Sequence, residues 1–184
     1  MSSGLPDWSP RHFGAWDDDD APAPVAEELV TDLVGAGRAL GSGELLVLLG
    51  AMVEQSGVWE ALADLARTGD DEAVLHSDED VEVRVVHWTG RERESGWHDH
   101  DRSASAVRVL LGALVEHTLG DAGRDHVVRI GAGASYPFEP EHVHRLDAEV
   151  AGTLSLHAWS PPLETTGLYE IDPSGRLRRV AVDL

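Results

Sequence analysis

From Val81 onward the chain breaks into short apolar segments, each closed by Gly, Pro or Asp. VEVRVVHW (81–88) alternates valines with Glu82 and Arg84, and GTLSLHAWSPP (152–162) alternates again and stops at Pro-Pro. AVRVLLGALVEHTLG (106–120) reads as two strand segments broken at Gly112, where a bulge or turn is expected. DHVVRIGAGASYPFEPEHVHRLDA (125–148) predicts a short strand, a Gly-rich turn and a strand carrying His142 and His144. GLYEIDPSGRLRRVAVDL (167–184) predicts a closing hairpin that turns at Asp172–Gly175. A period of two gives half-buried strands. Many short strands at regular spacing suggest an antiparallel barrel or sandwich.

The residues before this region follow a different period. APVAEELVTDLVGAGRAL (23–40) sets Val25, Leu29, Leu33 and Leu40 near helical spacing. SGELLVLLGAMVEQSGVWEALADLAR (42–67) opens on Ser42 as the expected N-cap, with Glu44 in the first turn. Two or three helices are expected up to Arg67. Residues 1–22 are rich in Pro, Gly and Asp and read as an extended arm, pinned by Trp8 and Trp16. The expected organisation is this arm followed by one domain, 23–184, with helices over about 23–67 and a barrel over about 72–184. The length of 184 residues suits one such domain.

Charge narrows the partners. With 34 Asp and Glu against 14 Lys and Arg, the net charge is −20. Nucleic acid and anionic membrane surfaces need clustered cations, so neither is an expected partner. No apolar run approaches a membrane span, and the N-terminus lacks the basic start and apolar core of a signal peptide. There is no cysteine, hence no disulfide framework and no cysteine nucleophile. The expected location is the cytoplasm. Nothing in the sequence sets the oligomeric state.

Five of the ten histidines fall on the expected strands: His98, His100, His142, His144 and His157. Side chains two apart on a strand share a face, so the H-x-H pairs can point into a barrel together. A lone pair of this kind is weak evidence, and hydrogen-bonded core or rim histidines are the plain alternative. Three imidazoles converging from separate strands suit Fe(II), Zn(II), Ni(II) or Cu(II) and leave positions open for substrate.

Three motifs between Trp88 and Pro162 resemble the cysteine dioxygenase family, the thiol dioxygenases among the cupins. The first is His98-x-His100, four residues, Ser105, six residues, Gly112, where many cupins carry a glutamate ligand at the Ser105 position. The second is Pro140-Glu-His-Val-His144-Arg-Leu146, and the third is SLHAWSPP (155–162). The resemblance implies a mainly β fold, a cupin (double-stranded β-helix or jelly-roll barrel) with a small helical N-terminal part. It implies Fe(II) as cofactor, held by His98, His100 and His144, with His142 as the competing third ligand. It implies a small-molecule thiol and dioxygen as partners and a sulfinate as product. The family's Ser-His-Tyr relay maps to Ser155, His157 and Trp159.

This chain departs from the family at two places. Trp159 replaces a tyrosine, and an indole can only donate where a phenol also accepts. Ser105 also stands where the animal enzymes have the cysteine that crosslinks to that tyrosine. The second departure is near VLHSD (74–78), where Glu72 aligns with the arginine that holds the substrate carboxylate. Glu72 and Trp159 are therefore the expected substrate-binding residues. The expected substrate is a thiol with a cationic or neutral group, ergothioneine being one candidate, rather than free L-cysteine. A surface Glu72, with Arg84 or Arg145 taking a carboxylate, is the competing reading. Two other functions stay open: a cupin oxygenase on a non-thiol substrate, and a metal-binding cupin module without turnover.

Overall fold

The computed structural model describes residues 23–90, 95–120 and 123–183. The arm over 1–22, with Trp8 and Trp16, lies outside the described residues. Three helices come first: α1 (Ala23–Val34), α2 (Ser42–Met52) and α3 (Ser56–Thr68). Then come β1 (Glu72–Ser77), β2 (Glu82–Trp88), β3 (Trp97–Asp99), β4 (Ala104–Leu111), β5 (Ala113–Leu119) and β6 (Asp125–Gly131). The chain closes with β7 (Ser135–Phe138), β8 (Arg145–Ala148), β9 (Thr153–Ser160), β10 (Thr166–Ile171) and β11 (Leu177–Asp183).

One antiparallel layer runs β1-β2-β9-β4-β7. Two three-stranded sheets, β11-β10-β3 and β6-β5-β8, make the other. They are joined where His98 and His144 exchange backbone hydrogen bonds of 2.8 and 2.9 Å, and where Ser95 N–H donates to Leu146 O at 2.9 Å. The facing orders β2-β9-β4-β7 and β3-β8-β5-β6 are the jelly-roll connectivity. The fold is thus mainly β, a double-stranded β-helix with a small helical N-terminal part. No single described helix is long and apolar enough to cross a membrane.

Alternation decides what each face of the first layer meets. Val83 and Val85 of β2, Ala104 and Ala106 of β4, and Leu154, Leu156 and Ala158 of β9 pack outward against Leu45, Leu48, Leu49, Val58, Leu62 and Leu65 of the helices. Each fully buried Leu contributes about 1.5–3 kcal/mol. The opposite face turns Trp88, Val107, Val109 and Phe138 inward, against Leu114, Ile130, Leu146 and Ala148 of the second layer. The helices therefore cap the outside of the barrel, and its interior holds this apolar cluster beside buried polar side chains.

Four local expectations change. Ser42 is the first residue of α2, and Gly41 is its N-cap. The Glu44 carboxylate reaches back to accept from Gly41 N–H at 3.0 Å, while Ser42 Oγ donates to Glu139 at 2.5 Å. The side chain three residues on thus satisfies the orphan donor that a serine cap would not reach. His142 and His144 do not share a strand: Glu141 takes φ 63°, which ends the extended run, and only His144 reaches the ladder, just ahead of β8. His100 likewise lies one residue past β3. Residues 72–77 form an edge strand that periodicity had not marked.

Gly112 sits between β4 and β5 at φ 76°, with the β4–β9 register shifting just before it. A Cβ there would run into Thr153 Oγ1 and lie 3.2 Å from Thr153 Cα. The left-handed backbone costs a non-glycine residue about 1–2 kcal/mol, and overpacking adds about 1–3 kcal/mol. Gly112→Ala should therefore lower unfolding free energy by about 2–5 kcal/mol in urea titrations. Gly43→Ala in α2, where a Cβ meets nothing within 4 Å, should raise it by up to about 1 kcal/mol. Equal effects of the two substitutions would contradict the steric account.

Candidate metal centre

The pairing that joins the layers also gathers the histidines. Because His98 and His144 sit opposite each other across β3 and β8, their rings project together, with centroids 4.6 Å apart. His100 follows two residues later on the same face, 5.0 Å from the His98 ring and 5.1 Å from the His144 ring. One nitrogen from each lies within 4.8 Å of the other two. Asp99 points the other way and anchors the segment, accepting from Tyr169 Oη at 2.5 Å and from Gly167 N–H at 3.1 Å.

The nitrogens are sorted by their partners. His98 Nδ1 donates to Gly96 O at 3.1 Å, and His100 Nδ1 bonds Ser105 Oγ at 2.9 Å. Both leave Nε2 free. His144 is fully buried, and neither of its ring nitrogens has a hydrogen-bond partner. Burial, then the neighbouring imidazoles, push the His98 pKa down to about 4 and the His100 pKa to about 2. Burial also lowers the His144 pKa. Three neutral imidazoles with unspent lone pairs facing one another are a poor core but a good donor set for a divalent cation. The residues present fit a metal ion.

β9 supplies the next layer. Ser155, His157 and Trp159 alternate inward from it, opposite Val86, Arg84 and Glu82 of β2. Trp88 Nε1 donates to Ser155 Oγ at 2.9 Å, and Ser155 Oγ lies 2.9 Å from His157 Nε2. An indole only donates, so the serine oxygen accepts from it, and Ser155 links Trp88 to the His157 ring. Burial, then the charges of His144 and His98, lower the His157 pKa to about 3, so the ring is neutral. The Trp159 ring stacks on His157 at 5.7 Å and 18° and stands 6.2 Å from His100. Trp159 Nε1 is buried and has no hydrogen-bond partner.

The expected residues are placed unevenly. His98, His100, His144, Ser155, His157 and Trp159 come together. Glu72 stays at the edge, its side chain 54% exposed, and among the described residues its side chain pairs with Arg84 Nη1 at 2.8 Å. Arg84 also donates from Nε to Glu82 at 2.5 Å and lies over the Trp159 ring at 5.9 Å. Burial alone would lower the Arg84 pKa, but the Glu82 hydrogen bond and the charges of Glu72 and Glu82 hold it above its usual value. Arg145 points to the outer face, over Trp97 and 3.0 Å from Asp147. His142 bonds the buried carboxylate of Glu116 at 2.7 Å. Trp88, Glu82 and Glu116 were not singled out as site residues by the sequence motifs. Their signal was there in part, since all three occupy inward positions of alternating strands.

The chain is similar, at low identity, to several solved structures. They include KdgF from Halomonas sp. (16% identity, TM-score 0.41, covering 49% of this chain and 78% of that one). A protein with a double-stranded β-helix domain from Klebsiella pneumoniae gives 21% identity and TM-score 0.43, over 54% and 83% of the two chains. A cupin-2 domain protein from Shewanella frigidimarina gives 20% and 0.39, over 49% and 78%. No curated protein matches the chain. The family model for cysteine dioxygenase type I matches residues 23–171, which take in all three helices, the histidine cluster and the Ser155–His157–Trp159 strand. On that match the chain belongs to the cysteine dioxygenase type I family.

Proposed function

We propose that the protein is a cytoplasmic non-haem Fe(II) thiol dioxygenase that converts a small-molecule thiol and dioxygen to the sulfinate. The observation that carries this reading is the convergence of three neutral imidazoles, with no carboxylate among them, beside the Trp88–Ser155–His157 chain. His98, His100 and His144 would hold the ion. Bound there, Fe(II) supplies a meeting point for the sulfur and dioxygen and, keeping its full positive charge on neutral ligands, favours the thiolate. Both oxygen atoms pass to sulfur, and the thiol itself supplies the electrons, so no external reductant is consumed.

The protein's own groups divide the remaining work. Ser105 and Gly96 hold two of the imidazoles by Nδ1, so both present Nε2. Ser155 fixes His157, whose other nitrogen can hydrogen-bond the substrate. Trp159 closes one wall and offers a single donor, Nε1–H, which has no other use. Arg84 cannot act as a free carboxylate clamp, because Glu72 and Glu82 both hold it. The trio carries a net charge of about −1, which favours a cationic thiol over L-cysteine.

Metal content after reconstitution should fall to near zero in His98→Ala, His100→Ala and His144→Ala, since three ligands leave no redundancy. His142→Ala should keep one ion per chain. Retention by His144→Ala with loss in His142→Ala would move the third ligand. With labelled dioxygen, product mass spectrometry should find two labelled atoms per sulfinate; one from dioxygen and one from water would exclude the dioxygenase reaction.

Two like charges about 4 Å apart at an effective dielectric near 20 repel by about 4 kcal/mol, and even a quarter of that weakens binding roughly fivefold. The kcat/KM for cysteamine or ergothioneine should therefore exceed that for L-cysteine by about fivefold or more. Glu72→Arg should narrow the gap. A parent enzyme that oxidises L-cysteine as well as any cationic thiol would remove Glu72 and Glu82 from the substrate reading.

A further inference from the structure

Behind the third imidazole lies a carboxylate that no motif includes. Glu116 stands on β5 opposite Leu146 of β8, two residues after Leu114, so its side chain turns into the barrel. It is 2% exposed. Its Oε1 accepts from His142 Nε2 at 2.7 Å and lies 3.6 Å from His144 Nδ1. An ionised carboxylate at this depth is costly unless it is paired and hydrogen-bonded, and the groups that meet it are these two imidazoles.

The geometry gives His144 two sides. Its Nδ1 faces Glu116, and its ring packs against those of His98 and His100. We propose that Glu116, held in place by His142, is the positioning residue of the metal site: it accepts the Nδ1 proton of His144, sets that ring's tautomer so that Nε2 faces the ion, and places one negative charge behind a centre whose ligands are all neutral. This rests on the three-histidine metal reading above. At 3.6 Å the Nδ1–Oε1 pair is too long for a hydrogen bond, and closing it by about 0.5 Å makes one.

Two consequences follow from electrostatics. A carboxylate partner makes the imidazole a stronger donor, and losing such a partner typically costs about 10–100-fold in metal affinity. A buried negative charge also stabilises the more highly charged oxidation state. In the first motif Ser105 stands where many cupins have a ligating glutamate; here a carboxylate charge returns from another strand, transmitted through an imidazole.

The experiment compares the parent with Glu116→Gln, which keeps shape but removes charge, and Glu116→Asp, which keeps charge. Three readouts apply to each: the ring ¹⁵N NMR of His144 in the metal-free protein, Zn(II) and Fe(II) affinity by chelator competition, and the Fe(III)/Fe(II) midpoint potential. The expected parent is Nδ1-protonated at His144. Glu116→Gln should bind one ion at least about tenfold more weakly. Its potential should rise by about 59 mV for each tenfold loss of preference for Fe(III). Glu116→Asp should recover most of the potential.

Unchanged affinity and potential in Glu116→Gln would overturn the proposal. So would an ion held by Glu116, His142 and His144, which also offer three ligand atoms within 4.8 Å of one another. That set would show as metal lost in Glu116→Gln but kept in His98→Ala. If Glu116→Gln does not fold, the parent still decides, because Nε2 protonation at His144 in the metal-free protein overturns the assignment. A parent that takes up no ion at all overturns the metal reading itself, and this inference with it, whereas a metal-binding parent isolates the role of Glu116.

Discussion

Everything in the barrel depends on β9 being buried on both faces. Leu154, Leu156 and Ala158 need an apolar cover, and α2 provides it from outside, within a core that α3 completes. Ser155, His157 and Trp159 then have only the interior to occupy. A strand's register is specified wherever one of its faces is buried, and here both faces are. Here a slip by one residue would press the serine, histidine and indole into the helix interface and carry the leucines into the site. The helices set the register of the chemistry without contributing a residue to it.

The second constraint is electrical. Buried imidazoles resist protonation because burial penalises the charged form, and each neighbour that gains charge makes the next gain harder. His98, His100 and His157 are all depressed by both effects, burial first. The cluster is therefore held neutral without any ligand, which leaves its lone pairs available for a cation. The buried atoms of His144 that no hydrogen bond satisfies are the clearest sign that the interior is shaped for something besides its own packing.

Much of this was legible in the sequence because strand periodicity and motif spacing report the same geometry. The alternation in SLHAWSPP placed Ser155, His157 and Trp159 on one face, and Gly112 marked the corner between β4 and β5. What escaped depends on long-range contacts or single backbone angles. His142 resembles His144 in spacing, and only the left-handed Glu141 takes it off the strand. Glu116 reads as an ordinary glutamate in VEHTL until β8 and the His142 loop close over it. Ser42 looked like a cap, yet Glu44 reaches the Gly41 N–H instead. Glu72 was aligned to a substrate-binding position, and its connection to the pocket runs through Arg84, a residue 12 positions away that register alone brings beside it.

Trp159 links these parts. It separates the neutral imidazoles from the charged rim: His157 stacks on it at 5.7 Å, and Arg84 lies over it at 5.9 Å. A tyrosine here would bring a hydroxyl able to accept, donate or release a proton. The indole removes that capacity and substitutes a larger apolar wall with one directed donor. The neighbouring ring able both to accept and to donate a proton is then His157, which Ser155 and Trp88 already hold in one orientation. The same indole gives Arg84 a surface to rest on, so that the guanidinium can serve Glu72 and Glu82 without entering the centre.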